Sequence, residues 1–433
     1  MKIYGWGRYP AIDAKVLLPQ TPVDCANFLK SNQIVLPRGM GRSYGDSANS
    51  STVIESTYLD HFIEFDVSTG VLTCEAGVSI REILQLIVPK GWFVPVTPGS
   101  SFVTIGGVIA SDVHGKNHHL SGTFSEHLLS FDLMLGSGEI VSVTKDNYLD
   151  LFRATCGGMG LTGIILSASI QLKPIQSSRI IQSTIKTNSL EEVCEQFEEN
   201  HASTYSVAWI DCLAKGKQLG RSLLMLGEHS QDGTLELRKK KSQNLPIDMP
   251  QSLLNHYSIK AFNSLYYHRV FSKTKTEIIS FEPYFYPLDA IGNWNRLYGK
   301  AGFVQYQFVL PKAVGIKGLR KILEVIVKSG KGSFLAVLKA FGRANENYLS
   351  FPIEGYTLAL DFKMSEETIQ LIKQLDSMVV EMGGRIYLTK DALMTEASFK
   401  KTYPQWEQFE EVRAKFGAIG KFASSQSKRL GLQ

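Results

Sequence analysis

The chain has 433 residues, 44% of them hydrophobic, and a formal net charge of +5. That length exceeds the roughly 250–300 residues at which a single core stops growing, so at least two domains are expected. The mild charge, with no stripe of lysines and aromatics, argues against nucleic acid as a partner. No apolar run approaches the roughly 20 residues that span a bilayer, and residues 1–8 lack a signal-peptide core. Five scattered cysteines (Cys25, Cys74, Cys156, Cys194 and Cys212) form no C-x-x-C pair and fit neither a disulfide framework nor a zinc site. They read as reduced thiols of a cytoplasmic protein, soluble or peripheral to the inner membrane.

Up to about residue 178 the pattern is strands and glycine-rich turns. Hairpins are expected around Ser68-Thr69-Gly70 and Gly136-Ser137-Gly138-Glu139, with helices over Ser79–Val88 and Tyr148–Thr155. From residue 303 the order is strand Phe303–Leu310, helix Val314–Lys328, strands Phe334–Ala340 and Tyr356–Phe362, helix Glu366–Met382 and strand Arg385–Leu388. This predicts a βαβ-βαβ unit folding as an antiparallel sheet with its helices on one face, and an α+β class overall. The tail, Ser398–Leu432, reads as two helices linked by Gly417–Lys421. The run Arg238-Lys239-Lys240-Lys241 reads as a solvated loop, with a peripheral membrane contact as the alternative.

Four glycine clusters fall in the first 163 residues: Gly39 to Gly45, Thr97 to Ser100, Thr104 to Gly107 and Gly157 to Gly163. Glycine admits positive φ and close approach of backbone amides to a phosphate, so four clusters in one domain suggest a diphosphate cradle. Gly158-x-Gly160-x-x-Gly163 matches the dinucleotide fingerprint in letters only, because helix precedes it and strand follows it; a nicotinamide site of that kind is rejected. Asp112-Val113-His114-Gly115-Lys116-Asn117-His118-His119 concentrates histidines, but Gly115 and Asn117 oppose the helix that would place His114 and His118 on one face, and no metal is expected.

Those residues, with Pro37 to Asp46, Gly160 to Ile164, Tyr205 to Trp209, Trp294 to Arg296, Gln305 to Phe308 and Thr389 to Asp391, resemble the FAD-dependent oxidoreductases of the vanillyl-alcohol oxidase type. Within that family the chain is most similar to the polyprenyl-phospho-ribose oxidases, the flavin half of a 2-epimerase. The resemblance spans almost the whole chain. It implies a bipartite FAD domain from residues 1–178 and 385–433, with a substrate domain over 179–384. Arg38, Gly39, Met40, Gly41, Arg42, Ser43 and Tyr44 would wrap the diphosphate. Thr97, Pro98, Gly99, Ser101, Gly106, Gly107, Ser111, His114, Gly115 and Asn117 would line the path from adenine to flavin ring, with Gly163 and Ile164 in contact. Relatives that attach FAD covalently use a histidine in the first loop; Ser43 and Tyr44 stand here instead, so dissociable FAD is expected.

By the same resemblance, Lys390 stabilises reduced flavin or steers the substrate, with Tyr44 and His114 beside it and His114 able to take the hydroxyl proton. Gln305, Gln307 and Lys339 alternate with apolar residues on strands, so they point to a substrate cleft; Phe285 is a further candidate, with a core aromatic as the other reading. Thr357, Ala359 and Phe285-Tyr286 depart from the Asn, Cys and Tyr-His of relatives. The expected reaction is oxidation of a polyprenyl-phospho-sugar to a 2-keto sugar, which a separate NADH-dependent short-chain reductase returns as the epimer (ribose to arabinose). The alternatives are an alditol or aldonolactone oxidase using oxygen, and a non-catalytic flavin electron-transfer subunit.

Overall fold

A computed structural model describes residues 1–237, 243–250 and 252–432. The basic run Arg238–Lys241 lies outside the described residues. Near the N-terminus, β1 (Lys15–Leu17), α1 (Pro22–Ser31), β2 (Leu36–Arg38) and β3 (Thr52–Glu55) make a small parallel sheet in the order β1-β3-β2. Thr21 and Asp24 form a reciprocal cap on α1 and Pro22 opens its first turn, so this start is specified locally. The first glycine loop hangs between β2 and β3.

β4 (Phe62–Asp66), β5 (Val71–Glu75), β6 (Leu128–Met134), β7 (Ile140–Thr144) and β8 (Ile164–Gln171) form a second sheet in the order β7-β6-β8-β5-β4. Both expected hairpins are present, β4–β5 and β6–β7. Against them pack α2 (Ile80–Ile87), α3 (Ile105–Ala110) and α4 (Leu149–Thr155), whose apolar faces are buried. Thr104 caps α3 by accepting from the Gly107 amide, and Gly106 and Gly107 sit in its first turn.

The remainder is one eight-stranded sheet. β9 (Arg179–Thr187), α5 (Leu190–Glu199), β10 (Tyr205–Ile210), β11 (Ser222–His229), α6 (His256–His268) and β12 (Thr274–Ser280) give the first half. β13 (Phe303–Pro311), α7 (Gly315–Ser329), β14 (Ala336–Phe341), β15 (Gly355–Lys363), α8 (Glu366–Glu381) and β16 (Arg385–Ile386) give the second. The order β12-β9-β11-β10-β14-β15-β13-β16 is one strand arrangement repeated head to head, the halves meeting where β10 pairs antiparallel with β14. The expected βαβ-βαβ unit is therefore the second of two. The first escaped because α6 departs from the pattern. Successive strand residues face opposite sides. Ala208 and Leu224 join the core that holds α5, whereas Trp209 and Leu223 pack with Tyr267 and Val270, so α6 lies on the other face.

The sheet ends on β16, within the strand expected over Arg385–Leu388, which pairs antiparallel with β13. The tail forms three helices where two were expected: α9 (Glu396–Thr402), α10 (Trp406–Lys415) and α11 (Ser425–Arg429). Pro404 cannot continue a helix and separates the first two. The tail returns to the N-terminal part: Arg429 donates to Asp46 at 2.7 Å and to Asp391 at 2.9 Å. A side chain at Gly45 would meet the Asp391 carbonyl at 1.7 Å, so only glycine lets the first loop lie on this segment.

Candidate active site

A cavity of about 970 Å³ opens between the N-terminal sheets and the face of the large sheet that carries α6. Its size is at the upper end for a ligand site, room for a large cofactor together with a substrate. Arg38, Gly39, Met40, Gly41, Arg42, Ser43 and Tyr44 of the first loop line it, together with Thr97, Pro98, Gly99, Gly106, Gly107, Ser111, His114, Gly115 and Gly163, and with Lys390, Gln305, Gln307, Lys339 and Phe285.

The first loop is shaped from behind. Arg38 donates to the carbonyls of Tyr4 (2.8 Å) and Ala48 (2.6 Å) and to Asn49 Oδ1 (3.1 Å), so its guanidinium braces the loop. Gly41 holds φ +62°, and a side chain there would meet Arg38 Nη2 at 2.2 Å. The amides of Met40 through Ser43 find no acceptor among the described residues, and Ser43 Oγ is buried with no partner. Buried polar groups are otherwise almost always paired, so unpaired donors on a cavity wall mark a place for an anionic ligand. The residues present fit the diphosphate of a dinucleotide.

Toward the large sheet the cavity collects cations. Lys390 Nζ lies 3.8 Å from the centre of the Tyr44 ring. Lys116 donates to the Tyr284 carbonyl and lies 4.3 Å over that residue's ring. Lys390, Lys116 and Lys339 are each half-buried and line the cavity. Burial lowers Lys390 and Lys116 to about 7, each pushed further by Lys339, and burial brings Lys339 itself to about 8. Three amines that are readily neutral suit a site that receives a negative group and a mobile proton.

His114 is 6% exposed, and burial with Lys339, His118 and Lys390 nearby holds it well below its ordinary value, hence neutral. Gln307 Nε2 donates to His114 Nε2 at 3.1 Å, which leaves the ring proton on Nδ1, an atom buried with no partner. The loop that carries His114 is anchored by Asp112, held at φ +38°. Its carboxylate accepts from Ser350 (2.6 Å), Asn345 (2.7 Å) and Asn347 (2.9 Å), all from the segment between β14 and β15. Behind Lys390 sits Asp361, 1% exposed, accepting from Gln305 at 2.6 Å and Tyr298 at 3.3 Å. Burial raises it to about 7, and among the described residues no cation comes within ion-pair distance.

Three expected cofactor contacts lie off the cavity wall. Ser101 gives its amide and hydroxyl to Asp289, both at 2.7 Å. Asn117, 1% exposed, donates to the Pro95 carbonyl and braces the turn at Gly115. Ile164 belongs to the core under α1, and its neighbour Ile165, on the opposite strand face, reaches the cavity. Thr97 lines the wall with its hydroxyl bonded to Tyr286 at 2.6 Å. Phe285 borders the cavity from within an aromatic cluster with Phe93, Tyr205 and Tyr284.

Lys116, Asp361 and Trp6 were not singled out. Lys116 was within reach, since it sits inside the quoted histidine motif. Asp361 becomes visible only once β13 and β15 are in register, opposite Gln305. Trp6 stacks under Arg42 at 4.1 Å, a contact across the cavity's rim that no local pattern announces. Among the described residues, no group of three His, Cys, Asp or Glu is placed to hold a metal ion.

An FAD binding domain family matches residues 14–144. Over 450 aligned residues the chain is 35% identical to the decaprenylphosphoryl-beta-D-ribose oxidase of Mycolicibacterium smegmatis, with 100% of this chain and 97% of that protein covered. It is 20% identical to an L-gulono-1,4-lactone dehydrogenase of Mycobacterium tuberculosis, over 98% of both chains. A Delta(24)-sterol reductase of Pisum sativum matches at 26% identity over 33% of this chain and 25% of its own length.

Proposed function

The chain belongs to the FAD-dependent oxidoreductases of the vanillyl-alcohol oxidase type, and from that premise we propose that it oxidises the secondary hydroxyl of a polyprenyl-phospho-ribose to a 2-keto sugar. The observation that carries this reading is the cluster of Lys390, Lys339 and Lys116 in the cavity that the first loop with its unpaired amides also lines, Lys390 lying against the Tyr44 ring of that loop. The loop amides suit a dinucleotide diphosphate and the lysines an anionic carrier group. The product would pass to a separate NADH-dependent short-chain reductase, giving net epimerisation. The enzyme would work at the membrane that holds its lipid substrate.

FAD, held non-covalently by the first loop, would supply the acceptor for the hydride equivalent. Lys390, neutral in an appreciable fraction near pH 7, takes the hydroxyl proton at Nζ, and the ammonium so formed stays beside the charge that oxidation leaves. The Tyr44 ring under Nζ favours that cation. His114, its Nε2 engaged by Gln307, presents Nδ1–H as a fixed donor to the bound ligand; the proton-accepting role expected of it falls to Lys390 instead. Gln305, held by Asp361, orients the wall behind the lysine.

Lys390→Ala is the test. It should retain FAD yet lose substrate-driven flavin reduction by roughly 10²- to 10⁴-fold, the usual worth of a positioned acid–base group. Equal reduction rates in variant and wild type would remove Lys390 from the chemistry, whereas no substrate-driven reduction in the wild type would favour a flavin carrier that does not oxidise this substrate.

A further inference from the structure

α6 has an unusual exposed face. Its buried side is Ile259, Asn263 and Tyr267, four residues apart; Asn263 donates to Asp211 and Tyr267 to the Thr187 carbonyl. The opposite side of such a helix is normally polar. Here Tyr257 is 81% exposed, Leu265 75% and Phe271, just beyond the helix, 95%. On a helical wheel Tyr257, Ala261 and Leu265 share one stripe. The helix contains no Asp or Glu and carries Lys260, with Arg269 at its C-cap. Asp248, upstream, is neutralised by Arg8.

This face adjoins the cavity. Tyr266 and Arg269 line the cavity, and Arg269 donates to the Tyr266 hydroxyl at 2.8 Å. One shoulder of the helix thus walls the site while the other offers apolar side chains and Lys260 to the outside. Exposed aromatic and aliphatic side chains with cations and no acid are the composition of a helix that lies in a membrane interface.

We infer that the face Tyr257–Leu265–Phe271 docks the protein on an anionic lipid bilayer, with the α6 end of the cavity turned toward it. This rests on the polyprenyl-phosphate reading of the cavity, since a carrier lipid then enters the site without crossing water. The charge balance selects an anionic bilayer over a neutral one, and each cation near such a surface contributes about fivefold in binding.

The test is co-sedimentation of the FAD-loaded full chain with phosphatidylcholine vesicles, with or without phosphatidylglycerol. The account predicts binding to the anionic vesicles that weakens with salt. The combined variant Tyr257→Asp, Leu265→Asp, Phe271→Asp should bind at least tenfold more weakly, and Lys260→Ala about fivefold. Flavin reduction by a short, water-soluble polyprenyl-phospho-ribose should be unchanged in these variants, which also shows that they fold. Vesicle binding equal to wild type in the triple variant would overturn the inference. So would a wild type that ignores anionic vesicles, including one whose face instead covers a second copy, seen as a dimer that the triple variant dissociates. Vesicle binding as predicted, with no flavin reduction by the soluble analogue, would remove the substrate reading and leave the docking face standing.

Discussion

Lys390 and Asp361 illustrate how two residues acquire chemistry from position. A solvated lysine is charged to pH 10 and a solvated aspartate ionised above pH 4; burial in one cavity wall brings both to about 7. For Lys390 the sign is that the neutral amine predominates above pH 7 and the ammonium below. The rate of flavin reduction should therefore rise about tenfold per pH unit up to about 7 and level off above it, followed by stopped-flow at saturating substrate. Asp361→Asn, which keeps the shape but removes the nearby negative charge, should move that break to lower pH; an unmoved break would detach Asp361 from Lys390. Lys390 was legible in the chain because a motif surrounds it. Asp361 was not, because its partner Gln305 is 56 residues away and only strand register joins them.

At the scale of elements, the first glycine loop and the tail depend on each other. Gly41→Ala must accommodate a side chain at φ +62° and against Arg38, so it should cost about 1 kcal/mol or more and weaken FAD binding, measured by fluorescence titration. Arg429→Met would leave Asp46 and Asp391, 4% and 6% exposed, without their shared cation, and should destabilise by about 3–5 kcal/mol in urea unfolding. The long, strongly patterned elements were legible: both hairpins, α7, α8 and the strands between them. Where the chain misled, a local cue was outweighed or overlooked. Pro404 divides the tail more sharply than periodicity suggested, and α6 occupies the face opposite α5 because Trp209 and Leu223 offered it an apolar seat.

For the whole molecule, the two halves of the sheet and the N-terminal part share one continuous core from Ile3 to Leu432, so filling the cavity between them should stabilise all of it. FAD at a hundredfold excess over its Kd would add about 2.7 kcal/mol, seen as a higher Tm, and acid precipitation should leave the flavin in the supernatant. Flavin that stays with the pellet would contradict non-covalent binding. The cofactor domain was legible at this scale because its glycine clusters lie close together in sequence. The substrate side was legible only in part, because its cations come from Lys116, Lys339 and Lys390, three points of the chain that folding alone brings together. The account stands most directly on the visible spectrum of the FAD-loaded protein under anaerobic conditions, before and after a short-chain polyprenyl-phospho-ribose is added. It predicts that the flavin band bleaches with one equivalent of substrate; a band that stays intact with this substrate and bleaches with free alditols or lactones would contradict it.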